Sequence, residues 1–280
     1  MSNFLEAISN ICSNSTTKLK SQYSGRNTMN NMGESLEVFV QDAFSNSINE
    51  QDPHKRKQNI SNTFSYIGNQ NNPPDMILKN SDAIEVKKIQ TMCSGIALNS
   101  SHPKDKLYKT DPKITQSCRD CEEWSVKDLI YTIGVTSDTH LKHLWLVYGD
   151  CYAADKNIYT RIANNIKKGI EGIPNVEFIT TKELGKVNKV DPLGITDLRI
   201  RGMWGIQNPM NVYSDIYTLP NDSAFSLAAL VNKEKYNSFP ESSRASIENN
   251  ESIYILDVHI KNPNNPAKLI KAKLITYKTL

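Results

Sequence analysis

The sequence predicts an α/β fold in which helices flank a central mixed β-sheet. Short apolar stretches that suit strands alternate with segments whose apolar residues recur at helical spacing. Residues 141–148 predict a buried central strand, and isoleucines at every fourth position from Ile158 to Ile170 predict an amphipathic helix. No repeat or low-complexity linker divides the 280 residues. We therefore predict a single domain that spans residues 1–280.

Further elements follow from the same patterns. Helices are predicted over residues 4–11 and 31–44, with a polar loop between them. The charge run at residues 49–59 predicts a solvated helix face, with phosphate contact as the alternative. Ser125 suits the N-cap of a helix over residues 126–134.

Two strand predictions concern the C-terminal half. Residues 176–180 predict a strand. Residues 254–260 and 269–277 predict a hairpin that closes at the Asn-Pro-Asn-Asn-Pro turn of residues 262–266. The sequence leaves open whether this hairpin forms a sheet edge, a dimer surface or part of a DNA-binding surface.

Composition narrows the class of protein without naming a function. Hydrophobic residues make up 38% of the chain and charged residues 22%, which is typical of a folded globular protein. The net charge of +3 is only mildly basic, but 33 Lys and Arg residues suffice for a local basic groove. No apolar stretch approaches the ~20 residues that a membrane helix needs.

The five cysteines are an odd number at irregular spacing, in a chain without a recognisable secretory leader. We expect unpaired thiols and a cytoplasmic location. The Cys118-Arg119-Asp120-Cys121 motif is a single CxxC, and a zinc site would need two more ligands.

The chemistry is concentrated in residues 72–88. Two short apolar runs flank the turn-forming Asn80-Ser81-Asp82, which predicts a tight β-hairpin. Side chains two residues apart on a strand share a face, so Glu85 and Lys87 point the same way. With the fold at Ser81, Asp75 lies roughly opposite Val86 and Lys87.

Two carboxylates and an ammonium group in one place suit metal-assisted phosphodiester hydrolysis. Asp75 and Glu85 repel each other unless a cation lies between them, and oxygen ligands suit Mg²⁺. The Lys87 ammonium can orient a water molecule, help to deprotonate it, and stabilise charge on a phosphate. The alternative is a surface hairpin with a solvated Glu and Lys.

A helix before the hairpin offers a third acid. Leu36, Phe39, Val40, Ala43 and Phe44 form one face of the helix predicted at residues 31–44. Glu37 lies beside that stripe and Glu34 is its rival at the helix start, while an ordinary exposed glutamate is the alternative to both.

These residues resemble the PD-(D/E)xK nuclease superfamily, with Pro74-Asp75 followed by Glu85-Val86-Lys87 and a preceding helix that carries a Glu. Residues 68–75, the Glu-Val-Lys-Lys run and residues 97–104 together resemble type II restriction endonucleases of the NgoPII kind. The resemblance covers about residues 23–150. It implies a restriction-endonuclease-like core, Mg²⁺ as cofactor, and a homodimer that cuts both strands of double-stranded DNA at a short palindrome, of GGCC type.

The resemblance also implies where DNA binds. Asp75, Glu85 and Glu37 would be metal ligands, and these three with Lys87 the catalytic residues. Polar residues on either side of the hairpin suit contacts to bases or phosphates, with a capped surface turn as the alternative. They are Asn71, Asn99, Ser100, Ser101, His102 and Lys104.

Residues 197–209 supply candidates for base contacts. Arg199 and Arg201 share one strand face, and Gln207 and Asn208 follow in a loop. Arg binds guanine O6 and N7 in the major groove, whereas Asn or Gln binds adenine. The alternative is that both arginines pair with carboxylates such as Asp191 or Asp197.

Two other functions stay open at this point. One is a nuclease of repair or recombination on the same core, such as a junction resolvase, which recognises DNA shape. The other is a non-catalytic DNA-binding module with a decayed site, against which the intact Asp, Glu and Lys argue.

Overall fold

A mixed β-sheet forms the centre of the protein, as predicted. The structure is a computed structural model that describes residues 2–14, 17–19, 28–69, 72–137 and 139–280, with side chains at residues 28–34 left out. The strands are β1 (Phe64–Asn69), β2 (Asn72–Leu78), β3 (Ala83–Ile89), β4 (Ile96–Asn99), β5 (Lys106–Tyr108), β6 (Val126–Ser137), β7 (His140–Tyr148), β8 (Gly185–Val187), β9 (Leu198–Ile200), β10 (Trp204–Ile206), β11 (Phe225–Asn232), β12 (Ile253–Asn262) and β13 (Asn265–Thr279).

Within the described chain, nine strands make up the main sheet. Eight lie side by side in the order β1-β2-β3-β6-β7-β11-β13-β12, and β5 pairs with β6. The β3–β6 and β7–β11 pairs are parallel and the other pairs are antiparallel. The predicted α/β class with a mixed sheet is therefore confirmed.

Helices pack against this sheet and against one another. They are α1 (Phe4–Cys12), α2 (Thr28–Phe44), α3 (Pro53–Thr63), α4 (Gln116–Arg119), α5 (Gly149–Tyr152), α6 (Lys156–Glu171), α7 (Pro209–Val212), α8 (Lys233–Ser238) and α9 (Glu241–Glu248). Helix α1 contacts α2 and α9, while α2 reaches β3. None of the helices in the described residues is long and apolar enough to cross a bilayer.

Helix α2 packs closely on the sheet through its predicted apolar face. Leu36, Phe39, Val40, Ala43 and Phe44 are all buried. Leu36 approaches β6 at Gly134, where an added Cβ would lie 2.7 Å from a Leu36 methyl carbon. The absence of a side chain at Gly134 thus lets the helix that carries Glu37 lie against the sheet.

Residues 126–137 form a strand, so the predicted helix with Ser125 as N-cap is wrong. Strand β6 pairs in parallel with β3 and antiparallel with β7. Every residue from Leu129 to Thr136 is buried. A strand covered on both faces has a continuous apolar run, which periodicity does not distinguish from a buried helix.

The predicted strand at residues 176–180 is also wrong. A single bridge between Phe178 and Val187 is present there. The apolar side chains of this stretch, such as Val176 and Ile179, are each 39% exposed. Ile179 N donates to Lys186 O of β8 at 2.8 Å, but among the described residues this pairing does not continue into a ladder, and the segment stays irregular.

Three other predicted elements are confirmed. Strand β7 is buried in the centre of the sheet. Helix α6 is capped by Asp155, but the isoleucine face is half exposed, with Ile166 at 48%. The C-terminal hairpin forms one edge of the sheet through β12 and β13.

The charge run at residues 49–59 lies mostly on α3, which has no buried residue. Arg56 Nε donates to Asp42 at 2.6 Å, and Lys55 pairs with Glu50 at 2.9 Å. The solvated helix face is therefore confirmed, and two of its cations pair within the chain.

Candidate active site

The hairpin of β2 and β3 places the predicted catalytic residues. Its inward side chains, including Met76 and Ile84, are fully buried, and the two residues are cross-strand partners. Leu78 N donates to Asp82 O at 2.9 Å across the turn, where Asn80 has a φ of 53°. The hairpin therefore folds at Asn80 and not at Ser81.

The shifted register still brings Asp75 onto β3. Val86 N donates to Asp75 Oδ2 at 2.6 Å. Within β3 itself, Lys87 Nζ donates to Glu85 Oε1 at 2.6 Å. Their side chains are only 24% and 14% exposed respectively. The predicted convergence of two acids and one amine at the hairpin is present.

The electrostatics of this site are those of two carboxylates held close together. Burial raises the pKa of Asp75 well above its usual value, and the charges of Glu85 and Glu37 add to that effect. The Lys87 ammonium and the Val86 amide oppose it. Burial alone would lower the pKa of Lys87, but the nearby carboxylates outweigh burial and raise it.

Glu85 has one oxygen that fits a cation. Its Oε1 accepts from Lys87, whereas Oε2 is buried and has no hydrogen-bond partner among the described residues. A buried carboxylate oxygen without a partner costs free energy that a bound cation can offset. The donor set of Asp75 and Glu85 therefore fits a hard divalent metal.

Glu37, the third predicted acid, is less directly connected to the site than Asp75 and Glu85. Glu37 influences the pKa of both Asp75 and Lys87 through its charge, so α2 brings it near the site. Within the described side chains, however, no three His, Cys, Asp or Glu residues lie close enough to hold one metal ion. The side chain of Glu34 and the whole of Asn71 lie outside the described residues.

The segment after β4 borders the site. Asn99 has a φ of 51°, and both Asn99 and Ser100 are exposed, whereas the Ser101 hydroxyl is buried without a partner among the described residues. His102 Nδ1 donates to Pro103 O at 2.7 Å, and burial lowers the pKa of this imidazole. Its ring stacks on Tyr159 with 5.3 Å between centroids.

Lys104 differs from the exposed phosphate donor that we expected. Its side chain is 5% exposed, and Nζ donates to Asp111 Oδ2 at 2.5 Å. Its backbone N also donates to the Tyr131 hydroxyl at 2.8 Å. Because both groups are already engaged, Lys104 fixes the segment to β6 and to the loop at Asp111.

A cavity of about 750 Å³ opens beside this segment. A smaller one, lined by Glu85, shares Ser101, His102 and Lys104 with it. Seven Lys and Arg side chains line the large cavity against three Asp and Glu side chains, so its wall is basic. The basic residues are Lys104, Lys106, Lys113, Lys156, Lys167, Lys182 and Arg201.

A two-stranded sheet unites the two predicted DNA-binding segments. Strand β10 pairs antiparallel with β4, so that Trp204 faces Asn99. Trp204 also meets the Tyr159 ring edge-on at 5.6 Å. The arginine segment before β10 and the serine segment after β4 consequently border one cavity.

The arginines pair with Glu183, not with Asp191 or Asp197. Arg199 donates to Glu183 through Nε at 3.0 Å and Nη2 at 2.8 Å. Arg201 Nε donates to the same carboxylate at 2.7 Å. Glu183 was not among the predicted residues, since no spacing in the sequence connects it to Arg199 or Arg201.

The two other candidates, Gln207 and Asn208, lie between β10 and α7. Gln207 is exposed, and its backbone carbonyl accepts a hydrogen bond from the Tyr152 hydroxyl. Asn208 is buried and caps α7. All five cysteines are free thiols, as predicted.

Comparison with known proteins identifies the family. The model of the NgoPII restriction endonuclease family matches residues 2–261. The chain belongs to the NgoPII restriction endonuclease family. The type II restriction enzyme NgoPII of Neisseria gonorrhoeae is 46% identical over 276 residues, which cover 98% of this chain and 99% of that enzyme. No solved structure matches.

Family membership decides between the functions that the sequence left open. The NgoPII family consists of restriction endonucleases, so the chain is an enzyme that cleaves DNA at specific sites. A junction resolvase and a non-catalytic DNA-binding module are both disfavoured. The hairpin of Asp75, Glu85 and Lys87 is the catalytic candidate within this family member.

Proposed function

We propose that the chain is a Mg²⁺-dependent type II restriction endonuclease that cuts both strands of double-stranded DNA at a short palindrome of GGCC type. The observation that carries the proposal is the hairpin where Asp75, Glu85 and Lys87 meet, with Glu85 Oε2 buried and unpaired among the described residues. The similarity to a type II restriction enzyme over almost the whole chain supports the class of reaction.

Each residue of the hairpin has a distinct role in the proposed mechanism. Asp75 and Glu85 would hold Mg²⁺, with Glu37 beside them as a direct ligand or one that acts through water. A bound Mg²⁺ would stabilise the charge on the phosphate and on the departing 3′ oxygen. Lys87, held by its ion pair with Glu85, orients the attacking water and stabilises the pentavalent phosphate.

The basic cavity is the proposed site of the scissile strand. Hydroxyl, imidazole and amide donors along its wall suit phosphate oxygens, and Arg199 and Arg201 suit guanine edges. Lys104 acts there by holding the segment through Asp111. The proposed DNA contacts are Asn71, Asn99, Ser100, Ser101, His102, Arg199, Arg201 and Gln207.

We propose that the enzyme acts as a homodimer in the cytoplasm. One active site cuts one strand, and a twofold dimer matches the twofold symmetry of a palindrome. Free cysteines suit a reducing compartment. The continuous core from Phe4 to Ile275 supports a single domain of residues 1–280.

A mapped digest tests the proposal. Plasmid DNA of known sequence is incubated with the enzyme and Mg²⁺, and the fragment ends are sequenced. We expect discrete fragments whose ends share one short palindrome, and no cutting when EDTA removes the metal. A smear without shared ends, or cutting that requires branched DNA, would contradict sequence-specific cleavage.

A further inference from the structure

Glu183 has no role in the proposed mechanism, but it forms a charged cluster with Arg199 and Arg201. One carboxylate accepts three hydrogen bonds of 2.7–3.0 Å from the two guanidinium groups. The arginine side chains are 54% and 60% exposed, whereas that of Glu183 is 18% exposed. The two cations thus face solvent while the acid that joins them is largely covered.

The position of this cluster connects it to DNA binding. Glu183 and Arg201 both line the basic cavity, which also borders Ser101 and His102 next to the catalytic hairpin. Glu183 is one of three acids on a wall with seven basic side chains. A carboxylate at this place weakens the attraction of the cavity wall to DNA phosphates. Glu183 therefore does not serve to strengthen DNA binding in general.

Two effects of the carboxylate favour selective binding. First, it fixes both guanidinium groups before DNA arrives, which lowers the entropy lost when an arginine forms directional bonds to guanine O6 and N7. Second, it cancels one of two positive charges, which reduces the attraction to phosphates that is the same for every sequence.

We propose that Glu183 is a positioning residue that determines specificity: it orients Arg199 and Arg201 toward guanine edges and suppresses their binding to DNA of other sequence. This inference rests on the proposed function, because it takes a duplex with guanines in its site as the ligand. It adds Glu183, which makes no base contact itself, to the residues that set recognition.

The test measures DNA binding in a protein that does not cut. Glu183→Gln is introduced into the Lys87→Ala protein, and the Kd is measured for a duplex with the mapped cleavage site and for one with that site scrambled. Both are titrated over a range of KCl concentrations. We expect tighter binding to the scrambled duplex and a ratio of the two Kd values that falls about tenfold.

The salt dependence separates this role from a merely structural one. Each added phosphate contact steepens the slope of log K against log salt by ~0.9. We expect Glu183→Gln to steepen this slope for the scrambled duplex by up to ~0.9. The melting temperature of the protein should stay unchanged. In an Arg199→Ala/Arg201→Ala background, the same substitution should have no effect, since the pair it acts through is gone.

Glu171→Gln is the matched control, because it removes the same charge from α6, where Glu171 lies 3.8 Å from Lys167. Equal changes in the Kd ratio for Glu171→Gln and Glu183→Gln would overturn the inference, as would an unchanged ratio in Glu183→Gln. Should the Lys87→Ala protein itself show no preference for the site duplex, sequence recognition fails and the role of Glu183 fails with it.

Discussion

At the scale of single residues, the two oxygens of Glu85 have different surroundings. Oε1 is paired with the Lys87 ammonium, and Oε2 is buried without a partner among the described residues. Leaving a buried acceptor unsatisfied costs roughly 1–3 kcal/mol, and more when it is charged. A site that carries this cost before ligand binding favours a cation once one is available.

Lys87→Ala should lower the cleavage rate by about 10² to 10³-fold and leave DNA binding largely intact, because the ammonium stabilises charge that develops only during reaction. The measurement is single-turnover cleavage together with a gel shift in Mg²⁺. Lys88→Ala is the control, since the neighbouring side chain points to the other face of β3. Retained cutting in Lys87→Ala would refute the role of Lys87.

Glu85→Gln should abolish stabilisation of the protein by divalent metal, since the amide offers one neutral oxygen in place of a carboxylate. The melting temperature of the free protein is measured with increasing Mg²⁺, which stabilises a folded protein that binds it in proportion to RT ln(1 + [L]/Kd). Glu123→Gln, at an exposed position, should keep the wild-type response. An equal metal response in all three proteins would exclude Glu85 as a ligand.

At the scale of elements, close contact between β1 and β2 fixes the strand that carries Asp75. An added Cβ at Gly68 would lie 2.5 Å from Pro74 O and 3.2 Å from Asp75 O. Both atoms belong to the backbone, so the strand itself would have to move. The second decisive contact is the β4–β10 pair, which joins the serine and arginine segments around one cavity.

Gly68→Ala should destabilise the protein by about 1–3 kcal/mol, because overpacking forces a backbone shift. It should also reduce the cleavage rate more than DNA affinity, because Asp75 moves with its strand. Urea unfolding and single-turnover cleavage measure the two effects. The matched control is Gly169→Ala in α6, where nothing lies within 4 Å and helix propensity favours Ala by about 1 kcal/mol. Equal changes in unfolding free energy and in cleavage rate for Gly68→Ala and Gly169→Ala would contradict the proposed strand movement.

At the scale of the whole molecule, an ion-pair network anchors the turn of the hairpin that carries the candidate site. Lys235 of α8 donates to Asp82 in the turn and to Asp128 in β6, each at 2.8 Å. Lys106 binds Asp128 at 2.9 Å, and the Tyr148 hydroxyl donates to Asp82 at 2.6 Å. Helix α8 thereby stabilises the hairpin that carries Asp75, Glu85 and Lys87.

The network predicts an acid-sensitive part of stability. Burial raises the pKa of Asp128, but hydrogen bonds from Lys235 and Lys106 outweigh burial and lower it. A lowered carboxyl pKa contributes stability that is complete above the unfolded value of about 4 and is lost as the pH falls through the folded value.

Asp128→Asn should therefore lower the free energy of unfolding by roughly 1–3 kcal/mol at neutral pH. Below about pH 4, the unfolding free energies of the variant and the wild type should become more similar. Urea unfolding at pH 7 and at about pH 3 measures both. Asp222→Asn, at an exposed position, should change neither value by more than ~0.5 kcal/mol. If the difference in unfolding free energy between Asp128→Asn and wild type stays constant with pH, the stabilising role of the ionised Asp128 carboxylate is contradicted.

The proposed homodimer is a separate prediction for the whole molecule. Sedimentation equilibrium should give twice the 31.6 kDa mass of one chain. Such a dimer should also cut both strands of a supercoiled plasmid in one binding event, so linear DNA should form with little nicked intermediate. A mass of one chain together with nicked circles as the main product would contradict the dimer.

The local sequence was sufficient for the features that depend on short-range spacing. The existence of the hairpin, the alternation that puts Glu85 and Lys87 on one face, and the apolar face of α2 all follow from neighbours within a few residues. The centre of the hairpin does not, since it lies at Asn80 and not at the predicted Ser81. The same local pattern failed for β6, because burial on both faces removes the alternation that identifies a strand.

Only the tertiary structure decided which distant residues meet. The pairing of β10 with β4, the burial of Lys104 against Asp111 and the capture of two arginines by Glu183 depend on chain segments whose meeting no local periodicity encodes. Sequence spacing fixes the direction of a side chain along its own strand or helix, whereas its partner depends on how those elements pack. The residue types and spacing of the hairpin were therefore present in the sequence, and the cavity that lies beside it emerged only from the fold.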